Sequence, residues 1–180
     1  MYRSTKTYGN DRGLSCVFRQ YLAKSHCNLL HGYSLGFKFI FAAEQLDEQN
    51  FVVDFGKGGF GEIKEWLHYM FDHTLLVAED DPLRSELERL GQLGLAEVRI
   101  IPASGCESTA RLVLEQADKI IRKNTKGRCW VESVEVFEHG SNSGIYTNEK
   151  FTPYVWNDGS YHFPRDVIDN TKFCTDYNIK

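Results

Sequence analysis

The stretch SGCESTARLVLEQADKIIRKNTKGRCWVESVEVFE, residues 104–138, decides the fold, because its apolar period changes half way along. Ser104 followed by Glu107 predicts a capping box at the start of a helix. The apolar residues after it recur every three or four positions, as on one helix face: Ala110, Val113, Leu114, Ala117, Ile120 and Ile121. Residues 128–138 then alternate like a half-buried strand that ends at Glu138, and HGSNSG at 139–144 is expected to be a loop.

The preceding sequence supplies more strands and helices. Residues 14–23 and 35–43 are rich in aromatic and small apolar residues and predict two antiparallel strands joined by a loop. The second strand places Leu35, Phe37, Phe39 and Phe41 on one face. The spacing of apolar residues predicts a helix over 60–71, Asp81 and Pro82 predict a short helix that ends at Gly91, and 98–101 predicts a brief strand. This order is typical of an α+β fold.

Composition limits the classes of function. The 180 residues are 42% hydrophobic and carry a net charge of −4, which fits one compact domain over 1–146 and gives no overall attraction to nucleic acid. No apolar run could span a membrane, and we expect a cytoplasmic protein. Five scattered cysteines without a C-x-x-C pair predict free thiols. Residues 147–180 are expected to be a tail that packs on the domain or on a neighbouring subunit.

Cys27 lies in a polar loop beside His26 and His31. A thiol near imidazoles loses its proton more readily, so Cys27 is a candidate base or nucleophile, although a small residue packed under a turn fits the spacing as well. His26 and His31 have the spacing of half a zinc site, but two histidines do not complete one.

Two further candidate sites lie at the ends of predicted elements, one at a helix end and one at a strand end. Asp72 and His73 close the first long helix, where a histidine interacts with the helix dipole and the aspartate can orient its ring; simple capping is the alternative. Glu138 at its strand end is a candidate pocket carboxylate, although most such glutamates are only solvated. His68 is expected to have a surface or packing role.

Five motifs in the same order resemble the 6-pyruvoyl-tetrahydropterin and 6-carboxy-tetrahydropterin synthase family. They are CNLLHGY at 27–33, VVDFG at 52–56, FDHTLL at 71–76, the helix start at Glu107, and VEVFE at 134–138 followed by Ile145 and Tyr146. The resemblance implies a tunnelling fold, with a four-stranded antiparallel sheet and two long helices on one face. It also implies trimers that stack into hexamers, with active sites between subunits.

The resemblance implies a lyase that eliminates triphosphate from 7,8-dihydroneopterin triphosphate, and in the carboxy branch, on the route to 7-deazaguanines such as queuosine, also releases acetaldehyde. Cys27 matches the family's catalytic cysteine, Asp72 and His73 its aspartate and histidine pair, and Glu138 the glutamate that holds the pterin. Glu107 is likewise assigned to substrate binding. The short C-x-x-x-H-G loop favours the carboxy branch.

The family's zinc ligands match only in part. His31 corresponds to the first histidine of the family's H-G-H, Tyr33 replaces the second, and no histidine ends the first strand. We expect zinc on His31 and His26 with an unidentified third ligand, or a protein without zinc. The alternatives in function are a pterin- or purine-binding module without chemistry, and an aldolase that acts on dihydroneopterin.

Overall fold

The computed structural model describes residues 1–148 and the strand residues 154–155 and 161–162. The chain divides into two units, Met1–Asn148 and Glu149–Lys180. In chain order the elements of the first unit are β1 (Tyr2–Tyr8), β2 (Ser15–Phe18), β3 (His31–Ser34), β4 (Gly36–Ala43), α1 (Phe60–Phe71), β5 (Thr74–Ala78), α2 (Arg84–Gln92), β6 (Glu97–Ile101), α3 (Cys106–Asn124), β7 (Cys129–His139) and β8 (Asn142–Thr147).

The second unit contains an antiparallel pair, β9 (Tyr154–Val155) and β10 (Tyr161–His162). Apart from these two strands, the part of the predicted 147–180 tail that follows Asn148 lies outside the described residues. The domain boundary at 146 and the packing of the tail therefore stay predictions.

The first sheet is antiparallel, with the strand order β1-β4-β7-β8. Phe37, Phe39 and Phe41 of β4 are fully buried on one face, as their alternation predicts. The helix α1 packs on this face, where Phe60 meets Phe39 edge to face and Phe71 lies 5.0 Å from Phe37 between ring centroids. The helix α3 packs on the same sheet. The predicted four-stranded antiparallel sheet with two long helices on one face is thereby confirmed.

A second sheet, which the sequence does not predict, has the strand order β3-β2-β5-β6. β5 lies parallel to both β2 and β6, whereas β3 pairs antiparallel with β2. All five residues of β5 are buried: Leu76 belongs to the main core, and Leu75 and Val77 pack with Leu87 of α2. This sheet positions the site, because it joins the end of α1 to the turn that carries Cys27.

The predicted pairing of 14–23 with 35–43 is wrong. β2 pairs with β3, in the register Phe18 opposite His31, while β4 joins the other sheet between β1 and β7. Leu35 separates the two strands: its N–H donates to the carbonyl of Leu14, and the chain then enters the first sheet. Residues 31–43 therefore belong to two sheets, whereas the sequence predicts a strand only over 35–43.

Two local predictions around residues 104–144 are also wrong. Gly105 is the N-cap of α3 and no side chain caps the helix; the hydroxyl of Ser104 instead donates to the carbonyl of Arg19. Most of HGSNSG is strand, because the chain turns after His139 and continues as β8. Gly144 allows this, since a Cβ there would lie 2.6 Å from the backbone nitrogen of Glu107.

Candidate active site

The N-terminus of α3 and the end of β7 bring several sequence-predicted residues together. Glu138 is half buried and lies beside the thiol of Cys106. Burial first, and then the nearby Glu138 charge, raise the pKa of Cys106 to about 12. Burial likewise raises the pKa of Cys16 to about 12. These thiols therefore stay neutral at physiological pH.

Glu107 lies in the first turn of α3, next to Cys106, and its side chain is exposed. Its backbone nitrogen packs tightly against Gly144 of β8. Helix N-termini attract negative charge through their free N–H groups. The two carboxylates are therefore held at the positive end of α3, where they can accept hydrogen bonds from a cationic or amine-bearing edge of a ligand.

Cys27 lies in a 3-10 turn, His26–Asn28, whose N-cap Ser25 accepts a hydrogen bond from the backbone nitrogen of Cys27. The carbonyl of Cys27 accepts a hydrogen bond of 2.9 Å from the backbone nitrogen of Gln20. The amide of Gln20 in turn lies against Gly105, so that a Cβ on this glycine would be 2.4 Å from Nε2. The Cys27 turn therefore lies next to the α3 N-terminus, with its thiol half exposed.

Arg19 holds this turn in place and was not predicted. Its guanidinium forms two hydrogen bonds of 2.8 Å with the carboxylate of Asp81, whose side chain is 1% exposed. A third nitrogen donates to the carbonyl of Asn28 at 3.4 Å. The hydrogen bonds from Arg19 lower the pKa of Asp81. The sequence predicts Asp81 as a helix cap, but Leu83 is the N-cap of α2 and no side chain caps this helix. The Asp81 carboxylate instead accepts a hydrogen bond from the backbone nitrogen of Leu83, before the helix begins.

The predicted zinc ligands do not form a complete site. Nδ1 of His31 lies 2.7 Å from the carbonyl of Leu29, so Nε2 is left for other partners. The His31 ring packs edge to face against Phe18 and Tyr33. Within residues 1–148, no three His, Cys, Asp or Glu side chains are grouped as a metal site requires. His26 and His31 therefore do not fit a three-ligand zinc centre, and we assign no step to a metal.

Asp72 and His73 lie where α1 meets β5. Nδ1 of His73 donates to Oδ1 of Asp72 at 2.6 Å, and hydrogen bonds from His73 and His68 lower the pKa of Asp72. His73 has a φ of +57°, a left-handed conformation that is uncommon outside glycine, and its side chain is 87% exposed. The carboxylate is therefore ionised at neutral pH and holds an imidazole whose Nε2 faces outward.

The structure places these residues in two clusters within one chain. The backbone nitrogen of His73 donates to Ser15 at the start of β2, whereas Cys27 contacts Gln20 beyond its end. The four residues of β2 span roughly 13 Å. Cys27, Glu107 and Glu138 therefore surround one end of α3, and Asp72 and His73 lie at the other end of β2. The catalytic roles predicted for these residues stay predictions.

The loop GKGGFG at 56–61 has the glycine spacing of a dinucleotide-binding loop, but Gly59 and Gly61 are required here by close backbone packing. A Cβ on Gly59 would lie 1.8 Å from the carbonyl oxygen of Asp54, and one on Gly61 would lie 2.8 Å from that of Gly56. The loop folds closely upon itself before α1 begins. It does not connect a strand directly to a helix, as that motif requires.

The comparisons identify the family. A family model described as "6-pyruvoyl tetrahydropterin synthase" matches residues 11–149, and the chain belongs to this family. Two curated relatives are 6-carboxy-5,6,7,8-tetrahydropterin synthases. The one from Rickettsia typhi is 34% identical over 58 residues, which are 32% of this chain and 41% of the relative. The one from Rickettsia felis is 29% identical over 82 residues, which are 45% of this chain and 55% of the relative. The chain thus matches about half the length of these relatives.

Solved structures share the fold. An uncharacterised protein from Wolinella succinogenes superposes with a TM-score of 0.64 at 19% identity, over 82% of this chain and 98% of the other. The 6-pyruvoyl tetrahydropterin synthase of Plasmodium falciparum superposes with a TM-score of 0.57 at 14% identity, over 81% and 98%. The predicted tunnelling fold is confirmed.

Cys16, Cys27, Cys106 and Cys129 are free thiols, as predicted, and the fifth cysteine lies outside the described residues. Among the residues described, none of the helices has the length and apolar character needed to cross a bilayer.

Proposed function

We propose that this protein is a lyase that eliminates triphosphate from 7,8-dihydroneopterin triphosphate, as a 6-carboxy- or 6-pyruvoyl-tetrahydropterin synthase does. The observation that carries the proposal is the cluster at the α3 N-terminus, where the half-buried Glu138 adjoins the turn of Cys27. Membership of the synthase family supports the pterin as the class of substrate. The short loop between Cys27 and His31 favours the carboxy branch.

The proposed chemistry assigns each residue a separate task. Glu138 accepts paired hydrogen bonds from the guanidine-like edge of the pterin and fixes its orientation. The thiolate of Cys27 takes a proton from a side-chain carbon, the electron pair moves toward the neighbouring carbon, and the bond to the triphosphate oxygen breaks. His73, oriented by Asp72, gives a proton from the opposite side.

The site we propose is completed by a second copy of the chain. The distance along β2 separates Cys27 from His73 within one chain, so one subunit would supply the thiol and its neighbour the imidazole. Exposed leucines around the Cys27 turn support a contact there, because Leu22, Leu29 and Leu30 are large apolar side chains open to solvent. A closed homo-oligomer, a trimer or hexamer, would repeat this contact at each interface.

Incubation of the purified protein with 7,8-dihydroneopterin triphosphate tests the proposal. Ultraviolet spectra should change as the pterin side chain is altered, and mass spectrometry should detect free triphosphate and a pterin product. Release of acetaldehyde would identify the carboxy branch. If neither product nor triphosphate forms, with or without added zinc, the lyase assignment is wrong. Turnover of dihydroneopterin itself would indicate the aldolase instead.

The second candidate is a pterin- or purine-binding module of the same fold. The incomplete set of zinc ligands around His31 specifically favours it, because the metal chemistry of the family would be lost while Glu138 remains. A binding module would bind the pterin tightly without turnover, and Cys27→Ala would leave its behaviour unchanged.

A further inference from the structure

The Asp72–His73 pair is one end of a longer hydrogen-bonded chain. Oδ2 of Asp72 lies 3.4 Å from Nδ1 of His68, one helical turn earlier on α1. Nε2 of His68 lies 2.7 Å from the hydroxyl of Tyr8 at the end of β1. The four side chains therefore run in the order Tyr8, His68, Asp72, His73, and they come from β1, α1 and the turn between α1 and β5. Both carboxylate oxygens of Asp72 have an imidazole partner.

Donors and acceptors along this chain can be assigned from the chemistry. An ionised carboxylate only accepts, so the Nδ1 atoms of His68 and His73 both carry the hydrogen that they share with Asp72. When Nε2 of His68 carries no hydrogen, it accepts from the hydroxyl of Tyr8. Of the four imidazole nitrogens of His68 and His73, Nε2 of His73 is the one without a partner among these side chains, and the His73 side chain is 87% exposed. This is the atom that would exchange a proton with a substrate.

Tyr8 is the fixed end of this series of hydrogen bonds. Its side chain is buried, its ring lies 6.2 Å from Phe60, and it meets the His68 ring edge to face at 5.9 Å. Asp72 and His68 are only half buried, so neither would be held firmly by packing alone. A rigid donor at the end of a chain limits the rotamers of every member after it.

We propose that Tyr8 and His68 are positioning residues, which hold the Asp72 carboxylate in the orientation that directs Nε2 of His73 outward. This inference rests on the proposed function for its consequence in catalysis, but its geometry does not depend on that function. Neither residue touches the reacting atoms. The left-handed backbone of His73 supports the same role, because this sparsely populated conformation persists where the surroundings hold it.

Other charged groups lie next to these four hydrogen-bonded side chains and must stay constant in any test. Arg12 lies over the ring of Tyr8, at 5.7 Å from its centroid, and Asp11 is close to the same hydroxyl. Lys64 and Glu65 of α1 line the groove beside His68. The variants used are therefore uncharged substitutions at Tyr8 and His68 only, and all are compared at one ionic strength.

Tyr8→Phe and His68→Leu test whether the hydrogen bonds that lead to Asp72 and His73 contribute to catalysis. Each variant should lower kcat for the triphosphate substrate about 3- to 10-fold and leave KM unchanged, because one positioning hydrogen bond is lost without a substrate contact. Tyr2→Phe is the matched control on the same strand, with an exposed ring, and should retain full activity. Unchanged kcat in both variants of an active enzyme would overturn the inference.

A second readout does not need turnover. The ¹³C resonance of the Asp72 carboxyl, followed against pH in the intact chain, should show a higher pKa in His68→Leu than in the wild type, since one of its two imidazole donors is gone. A protein inactive on the substrate refutes the proposed function, whereas a raised Asp72 pKa would still support the chain. An Asp72 pKa that is equal in wild type and His68→Leu would overturn the inference whatever the activity.

Discussion

Replacing Asp81 by Asn should loosen the turn that carries Cys27. The pair that it forms with Arg19 is almost dry, with side-chain exposures of 1% and 18%. Breaking a buried ion pair costs about 3 to 5 kcal/mol. Arg19 keeps some access to water, and the amide oxygen of Asn can still accept from the nitrogen of Leu83, so we expect a loss of about 2 kcal/mol.

Urea unfolding at pH 7, followed by the fluorescence of the buried Trp66 and Trp130, measures this loss. About 2 kcal/mol corresponds to a midpoint lower by roughly 1 M. Glu88→Gln is the matched control, because it removes the more exposed Arg84–Glu88 pair, at 38% on each side, and should cost less than about 0.5 kcal/mol. Equal, small effects of the two substitutions would refute the reasoning.

The same substitution has a defined pH dependence. The pKa of Asp81 is lowered in the folded chain, so the pair stabilises the protein above the ordinary aspartate pKa of about 3.9 and the contribution is lost as the pH falls through the lowered value. The difference between wild type and Asp81→Asn should therefore be full at pH 7 and shrink in acid. A difference that grows below pH 4 would contradict this sign.

Alkylation of the native protein locates the effect. In Asp81→Asn, iodoacetamide should modify Cys27 faster, as measured by peptide mass spectrometry, because its turn loses the anchored guanidinium that contacts Asn28. The buried thiols Cys16, Cys106 and Cys129 are internal controls and should stay protected. Parallel acceleration at all four cysteines would indicate general unfolding instead.

The remaining predictions concern the site. Cys27→Ala should abolish turnover and leave pterin binding, measured by fluorescence, within about 3-fold, whereas Glu138→Gln should weaken binding 10-fold or more; equal effects on both would contradict the assigned roles. The zinc content, determined by elemental analysis, should be well below one atom per chain, because His26 and His31 supply only two donors. For the same reason a chelator should leave turnover unchanged. A full zinc atom on each chain would contradict this prediction. Gly144→Ala should destabilise the chain by about 2 kcal/mol, since its Cβ would meet the backbone of Glu107 at 2.6 Å; an unchanged urea midpoint would be against this.

Long elements with a clear period could be predicted from the sequence. The helix over 60–71 is observed as α1, and the phenylalanines of β4 and the strand that ends near Glu138 are also as expected. The strand β5 was missed, because TLLVA is short and buried on both faces and has no period. The strand β1 was missed because its sequence, YRSTKTY, is largely polar and exposed.

Tertiary contacts explain the other differences. Ser104 has the right spacing for a cap, but its hydroxyl is used by the carbonyl of Arg19 from a distant part of the chain. The turn after His139 depends on the fit of Gly144 against α3. His68 was expected to have a surface or packing role, and its contacts with Tyr8 and Asp72 depend on how β1 and α1 meet. Such pairings are not encoded in local spacing.

The resemblance to the family supplied the site residues that spacing alone left open. The sequence around Cys27 fits a small residue packed under a turn as well as a catalytic base. The sequence around Glu138 fits a solvent-exposed carboxylate as well as one that binds a ligand. The structure brings Glu138 to the α3 N-terminus beside the Cys27 turn. It leaves His73 at the other end of β2, a separation that residue spacing does not indicate and that agrees with the sites between subunits implied by the resemblance.

Mixing two inactive variants tests most directly whether neighbouring chains share one site. Cys27→Ala and His73→Ala, denatured together in equal amounts and refolded, should regain up to about a quarter of the wild-type turnover of 7,8-dihydroneopterin triphosphate, because a quarter of the interfaces then join an intact thiol to an intact imidazole. Each variant refolded alone should stay inactive. A mixture no more active than the separate variants, under conditions where refolded wild type is active, would contradict a site built from two chains.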